Sequence, residues 1–292
     1  RHLLKIPFSK VYGLRDYIQL IRDSLPQAGV VFLNASIARI DWILLGLLAT
    51  PAITAEYSFA YKVFELSPLP LLILAPILLS RFSKYFGQYP DGQLTQRKTE
   101  LGMLIRFEMI AATSIPLILN MVWTPLVDSL TVNKYGAVNE KVFFLLSCCS
   151  PFLYINNLLW SVLFAQNKLT LILRITLFTF LILLIGDLVS IPLFAAQGAA
   201  FVYLLAIIAE YLNYLRYTGL YRLRETWLSP LLCMGAALVS GVPAFLLTDE
   251  HWIRLAISLP VYSFLLLATK QLCISDIRYI VGLVNLKKIE IT

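Results

Sequence analysis

Residues 169–218 read LTLILRITLFTFLILLIGDLVSIPLFAAQGAAFVYLLAIIAEYLNYLRYT, fifty residues with four charges: Arg174, Asp187, Glu210 and Arg216. A bilayer core of ~30 Å is crossed by roughly 20 apolar residues, so this stretch is long enough for two spans, placed at 169 to 193 and 197 to 217. No water is present in hydrocarbon to satisfy backbone N–H and C=O groups, and long apolar runs therefore mean helices rather than strands. The reading of this stretch sets the class for the whole chain, all-α and polytopic in the membrane.

Working outward, similar runs predict further spans at 26 to 49, 54 to 80, 101 to 126, 141 to 166, 228 to 248 and 252 to 272, about eight in all. Composition agrees: of 292 residues, 59% are hydrophobic and 14% charged, with a mean hydropathy of +0.77, against about 25% charged for a soluble domain. The first 25 residues are basic, and Leu14, Ile18, Ile21 and Leu25 recur at helical spacing, which predicts an amphipathic helix lying on the membrane surface. Pro26 is expected to open the first span. The organisation expected is an interfacial segment 1–25, a six-helix lobe 26–217, two additional helices 218–272 and a tail 273–292. Because the sequence starts at Arg1, with no initiator Met and no signal-like segment, a missing N-terminal part is also expected.

The connectors alternate in charge. Eighteen basic residues, among them Arg22, Arg81, Lys84, Lys168, Arg216, Arg222 and Arg224, fall on one side, and Lys134, Lys141 and Arg254 on the other. This positive-inside pattern predicts both termini in the cytoplasm and accounts for the net charge of +7 without a nucleic-acid partner. The four cysteines and two histidines have no metal or disulfide spacing, and no cofactor is expected.

Charges near a bilayer centre cost several kcal/mol, so those inside spans are functional candidates. Arg39 and Asp41 lie well into the first span and Lys62 and Glu65 enter from the other side, so all four are expected to converge near mid-membrane. Ser58, Lys62 and Glu65 share a helix face, which should look into protein or water. The plainer alternative is an internal ion pair that locks two helices together. Arg106 and Glu108, and likewise Asp187, are expected to reach the interfaces, whereas Glu210 is deep enough to remain a candidate. Asn34, Asn156, Asn157 and Gln166 fit either a cavity lining or interhelical hydrogen bonds. Pro68, Pro70 and Pro76 should break the second span and Pro116 bend the third, as in moving or ligand-lining helices.

Several of these strings resemble a known group. They are Pro26 with AsnAlaSerIleAlaArgIleAspTrpIleLeuLeuGly at 34–46, TyrSerPheAlaTyrLysValPheGlu at 57–65 and AlaProIleLeuLeuSerArgPhe at 75–82. LysTyrGly at 134–136 and IleProLeuPheAlaAlaGlnGlyAlaAla at 191–200 complete the set. In order and spacing they resemble the polysaccharide flippases of the multidrug, oligosaccharidyl-lipid and polysaccharide exporter superfamily, the Wzx and MurJ-like group, over roughly residues 10 to 220. One departure is Ala195 and Ala196 where the family usually has a Gly after the Pro of its last turn. The resemblance implies the second lobe of a two-lobed carrier plus an appended pair of helices. Its expected cargo is an undecaprenyl-pyrophosphate-linked oligosaccharide, as in lipopolysaccharide assembly, taken across a bacterial or archaeal cytoplasmic membrane. The expected partners are the bilayer, the lipid-linked glycan and other polysaccharide-assembly proteins.

On that expectation Arg39 and Lys62 bind the diphosphate, while Asp41, Glu65 and Glu210 balance charge or take a coupling proton or sodium ion. The chain is not expected to be an enzyme. The alternatives are a multidrug or small-solute cation antiporter, whose cavity should be richer in carboxylates and aromatics, and a membrane-embedded glycan-processing enzyme. No span carries a histidine for acid–base work, and no GxxxxGK[ST] loop is present for an ATP-driven pump.

Overall fold

The structure, a computed structural model, describes residues 14–71, 76, 94–248 and 250–272. The part of the expected interfacial segment 1–25 that precedes Leu14, most of the span end at 75–82 with Arg81 and Lys84, and the tail from 273 lie outside the described residues, whereas residues 14–25 continue without a break into the first span. Among those described, the secondary structure is helical throughout: α1 Leu14–Ile37, α2 Ile40–Leu48, α3 Pro51–Phe64, α4 Leu94–Thr131 and α5 Gly136–Ser147, then α6 Ser150–Ala165, α7 Leu169–Thr218, a short 3-10 turn Leu220–Arg222, α8 Arg224–Leu247 and α9 His251–Ala268. Among the described residues, six stretches qualify as membrane spans by length and hydropathy, with α1–α2 and α5–α6 each counting as one and α7 as another.

α7 is two spans in one element. Its backbone leaves helical geometry at Ala195, with φ 49° and ψ −129°, and the two arms then run back along each other. A Cβ built on Gly186 would lie 2.5 Å from Val202 Cγ1, and one on Gly198 would lie 2.6 Å from the Ser190 carbonyl oxygen. In a straight helix, Gly186 and Val202 would stand about 24 Å apart along the axis. Glycine is required at both places because the arms touch there. Ala195 itself adopts the positive φ that glycine takes without strain, so the alanine departure from the family pattern leaves the turn intact at a local energetic cost.

Three boundaries differ from expectation. α1 runs unbroken through Pro26, so Pro26 does not open the span. A single proline forfeits one backbone bond, and the apolar face continues past it to Val30 and Ile37, which are buried. The first span instead breaks at Ala38–Arg39, where Arg39 N–H donates to the Ser36 carbonyl and Arg39 takes φ −136°. The fourth span breaks similarly at Cys148–Cys149. Finally, the connector between the third and fourth spans shrinks to four residues, 132–135. Gly136 N–H donates to Asp128 Oδ1 at 2.7 Å, and Trp123 Nε1 donates to the Gly136 carbonyl at 2.8 Å. Any side chain at Gly136 would collide with the Asp128 carboxylate.

The packing places α7 at the centre, against α1, α2, α5 and α6, with α3 lying on α5 and touching α2 and α7. α8 and α9 pack on each other and join the rest chiefly through α4. An apolar cavity of about 870 Å³ lies between α4, α5 and α8, lined among others by Pro116, Leu117, Phe144, Met234 and Leu238. None of the charged residues singled out within the first two spans lines it.

Candidate functional site

Arg39 stands in the break between α1 and α2. The nine residues of α2 then carry the chain about 14 Å to the next connector, roughly half of a ~30 Å hydrocarbon core. Lys62 lies eleven residues after Pro51, at a comparable depth of about 17 Å from the same end. The two helices thus bring their charges to one level, as the spacing predicts.

Three of the four predicted charges meet there. Glu65 caps the end of α3, and its carboxylate lies 2.5 Å from Lys62 Nζ through Oε2 and 3.7 Å from Arg39 Nη1 through Oε1. Both cations also rest on the Trp42 indole, with Arg39 Cζ 4.4 Å and Lys62 Nζ 5.1 Å from the ring centroid. The side chains of Arg39, Lys62 and Glu65 are 45%, 52% and 36% exposed. At mid-depth such exposure is incompatible with lipid contact, so this face looks onto water or onto further protein.

Asp41 does not join the cluster. It lies two residues past Arg39, on the opposite side of α2, fully buried, with Oδ1 accepting from its neighbour Trp42 N–H at 2.9 Å and Oδ2 accepting from the Tyr57 hydroxyl. Arg39 acts on it only electrostatically.

On this buried side sits a residue expected at the interface. Asp187 is 0% exposed and neither of its carboxylate oxygens has a hydrogen-bond partner. It interacts electrostatically with Asp41 and with Tyr57. The expectation failed because the turn between the two arms of α7 lies at Ala195, eight residues and about 12 Å beyond Asp187, and because α7 packs on α2 and α3. Two buried carboxylates that act on each other electrostatically cannot both carry bare charge without a large cost.

The remaining candidates lie elsewhere. Glu210, half-buried, accepts from Asn156 Nδ2 at 3.0 Å, and the same amide donates to the Ile207 carbonyl at 3.2 Å. Asn156 thereby ties α6 to α7. Glu108 is 2% exposed with both oxygens unpartnered, not at an interface, because α4 extends to both sides of its predicted limits and turns this residue inward. Arg106 is half-buried. Sequence reasoning also passed over Tyr57, although its spacing of four from Tyr61 and eight from Glu65 marks one face of α3.

Among solved structures, the chain is similar to one described as "Lipid II flippase MurJ, inward closed conformation". The TM-score is 0.66 at 14% identity, over 87% of this chain and 55% of that one. The chain therefore spans about half the length of the flippase it matches. No protein-family model and no curated protein sequence matches it. At this identity the likeness is one of fold, an all-helical, multi-pass membrane architecture.

Proposed function

We propose that this chain carries the anion-binding half-site of a carrier that moves a lipid-linked glycan across the cytoplasmic membrane by alternating access. The observation that carries the proposal is the charge count of the open cluster. Two cations, Arg39 and Lys62, share one carboxylate, Glu65, while Asp41 turns away into the core. The open face thus holds a net positive charge at mid-depth. A diphosphate-linked lipid, the undecaprenyl-pyrophosphate type, fits it, with the arginine fork on one phosphate and the lysine on the other. An organic-cation antiporter is disfavoured by the same count. The fold shared with a lipid II flippase supports a lipid-linked cargo, and the positive-inside pattern supports export from the cytoplasmic leaflet.

Coupling to a proton or sodium ion is assigned to the two buried carboxylates, Asp41 and Asp187. The test is glycan export in cells that depend on this protein, with surface glycan and membrane insertion both measured. Each pair to a charged group is worth about 1.5–3 kcal/mol, so Arg39→Ala and Lys62→Ala should each lower export by about 10- to 100-fold at normal insertion. Unimpaired export by both variants would overturn the assignment.

A further inference from the structure

Among the described residues, two side chains contact both cations of the open cluster, Glu65 and Trp42. They hold them in different ways. The Glu65 carboxylate faces the donors themselves, 2.5 Å from Lys62 Nζ and 3.7 Å from Arg39 Nη1, and a phosphate has to displace it. Trp42 offers the face of its ring, with Arg39 Cζ 4.4 Å and Lys62 Nζ 5.1 Å from the centroid. A guanidinium carries five N–H donors and an ammonium three, and attraction to the ring quadrupole occupies no hydrogen-bond acceptor. A cation resting on the indole therefore keeps donors free for an anion, so Trp42 can stay in place when Glu65 is exchanged for phosphate.

The ring is fixed from behind. Its residue's backbone N–H donates to Asp41 Oδ1 at 2.9 Å, and the indole meets the buried Tyr61 edge-on at 5.6 Å. Tyr61 in turn packs edge-on against Phe64 at 5.9 Å and against Tyr203 of α7 at 5.8 Å. The indole Nε1 is buried without an acceptor, so what this tryptophan supplies at the cluster is a face and not a hydrogen bond. The two cations it gathers come from different elements, Arg39 from the break between α1 and α2 and Lys62 from the last turn of α3. Both are long side chains about half exposed. Left to themselves, each would have to be immobilised by the arriving ligand, and that cost rises with the number of cations the ligand engages.

We propose that Trp42 is a positioning residue that makes this site prefer a diphosphate to a monophosphate. The inference rests on the anion-binding reading of the cluster given above. A single phosphate is satisfied by one cation, whereas two linked phosphates need both at once. One rigid ring under Arg39 and Lys62 brings them to the same level before the ligand arrives, so the second phosphate meets a cation already in place. The ordering cost saved is that of one long side chain, equivalent to about three- to tenfold in affinity.

The test compares binding of a short-chain polyprenyl diphosphate and of the matching monophosphate to the purified full-length protein in lipid nanodiscs at low salt. Wild type should favour the diphosphate. Trp42→Leu keeps an apolar side chain but no quadrupole, and should lower the ratio of the two affinities by about three- to tenfold. Trp42→Phe, with a weaker face, should lower it by less. A residue that only packs α2 against α3 would weaken both lipids alike, so a ratio unchanged in Trp42→Leu overturns the inference. Equal binding of both lipids by the wild type overturns it too, while leaving the anion site standing. Binding of neither lipid by folded wild type overturns the anion-binding reading, and this inference falls with it. Should Trp42→Leu fail to fold, Trp42→Phe decides: an unchanged ratio in that variant overturns the positioning role.

Discussion

Replacing Glu65 with glutamine should tighten the binding of a diphosphate lipid while weakening little else. In the empty site the carboxylate holds Lys62 at 2.5 Å and Arg39 at 3.7 Å. With side chains between 36% and 52% exposed, each contact falls in the range of surface pairs, about 0.2–1 kcal/mol. An arriving diphosphate must break both, at a combined cost of about 1 kcal/mol, and must also approach a like charge. Glu65→Gln removes both penalties, and at 1.4 kcal/mol per tenfold the gain is about five- to tenfold in affinity. The unfolding free energy should change by less than about 1 kcal/mol, because no buried contact is lost. The assay is binding of a short-chain polyprenyl diphosphate to purified protein in lipid nanodiscs at two salt concentrations. Partly exposed pairs are screened over a Debye length of about 8 Å at physiological salt, so the gain should shrink as salt rises. Weaker or unchanged binding by Glu65→Gln at low salt would refute the reasoning, because the carboxylate would then be part of the binding surface rather than its resident counter-ion.

Ala195→Gly should raise thermal stability, since alanine at φ 49° carries strain of about 1–3 kcal/mol that glycine relieves, less about 0.5–1 kcal/mol of unfolded-chain entropy. At roughly 2–4 °C per kcal/mol for a chain of this size, the melting temperature should rise by a few degrees in detergent; a fall would show that the turn is not strained. Asp187→Asn should leave the melting temperature unchanged or higher, because neither carboxylate oxygen has a partner to lose, while removing the dependence of transport on the coupling ion. A large drop in stability with coupling intact would make Asp187 a structural residue.

Hydropathy carried the fold far: the class and the double span at 169–218 both follow from the solvent that the chain must inhabit. What they missed are breaks inside spans. The interruption at Ala38–Arg39 is marked by no proline or glycine, and it arises from packing around a charge that has to leave the helix face. Pro26 shows the converse, a strong breaker that the helix absorbs where its apolar stripe continues. At the site, spacing along α3 brought Lys62 and Glu65 to the level of Arg39, because helical periodicity decides which side chains share a face. The direction of Asp41 was not legible. Two residues apart on a helix, Arg39 and Asp41 lie about 200° around the axis from one another, and only the position of α7 decides which of them is covered. Asp187 was hidden for the same reason, since its depth depends on where α7 turns back.

On the proposed reading, the two faces of α2 couple ion and substrate without a long pathway. Asp41 accepts from the backbone N–H of Trp42, and the Trp42 ring is the platform on which Arg39 and Lys62 rest. On α3, Tyr57 donates to Asp41, Tyr61 meets the Trp42 ring edge-on at 5.6 Å, and Glu65 follows four residues later on the same face. On the proposed reading, a cation entering between Asp41 and Asp187 competes with both donors of Asp41, and each donor is one side chain or one helical turn away from the substrate-facing charges. A shift of the Trp42 peptide would change the height of the indole under both cations together. The coupling free energy then comes from rearranging hydrogen bonds that the ion and the diphosphate both bias, which is the physical requirement for linkage between two sites.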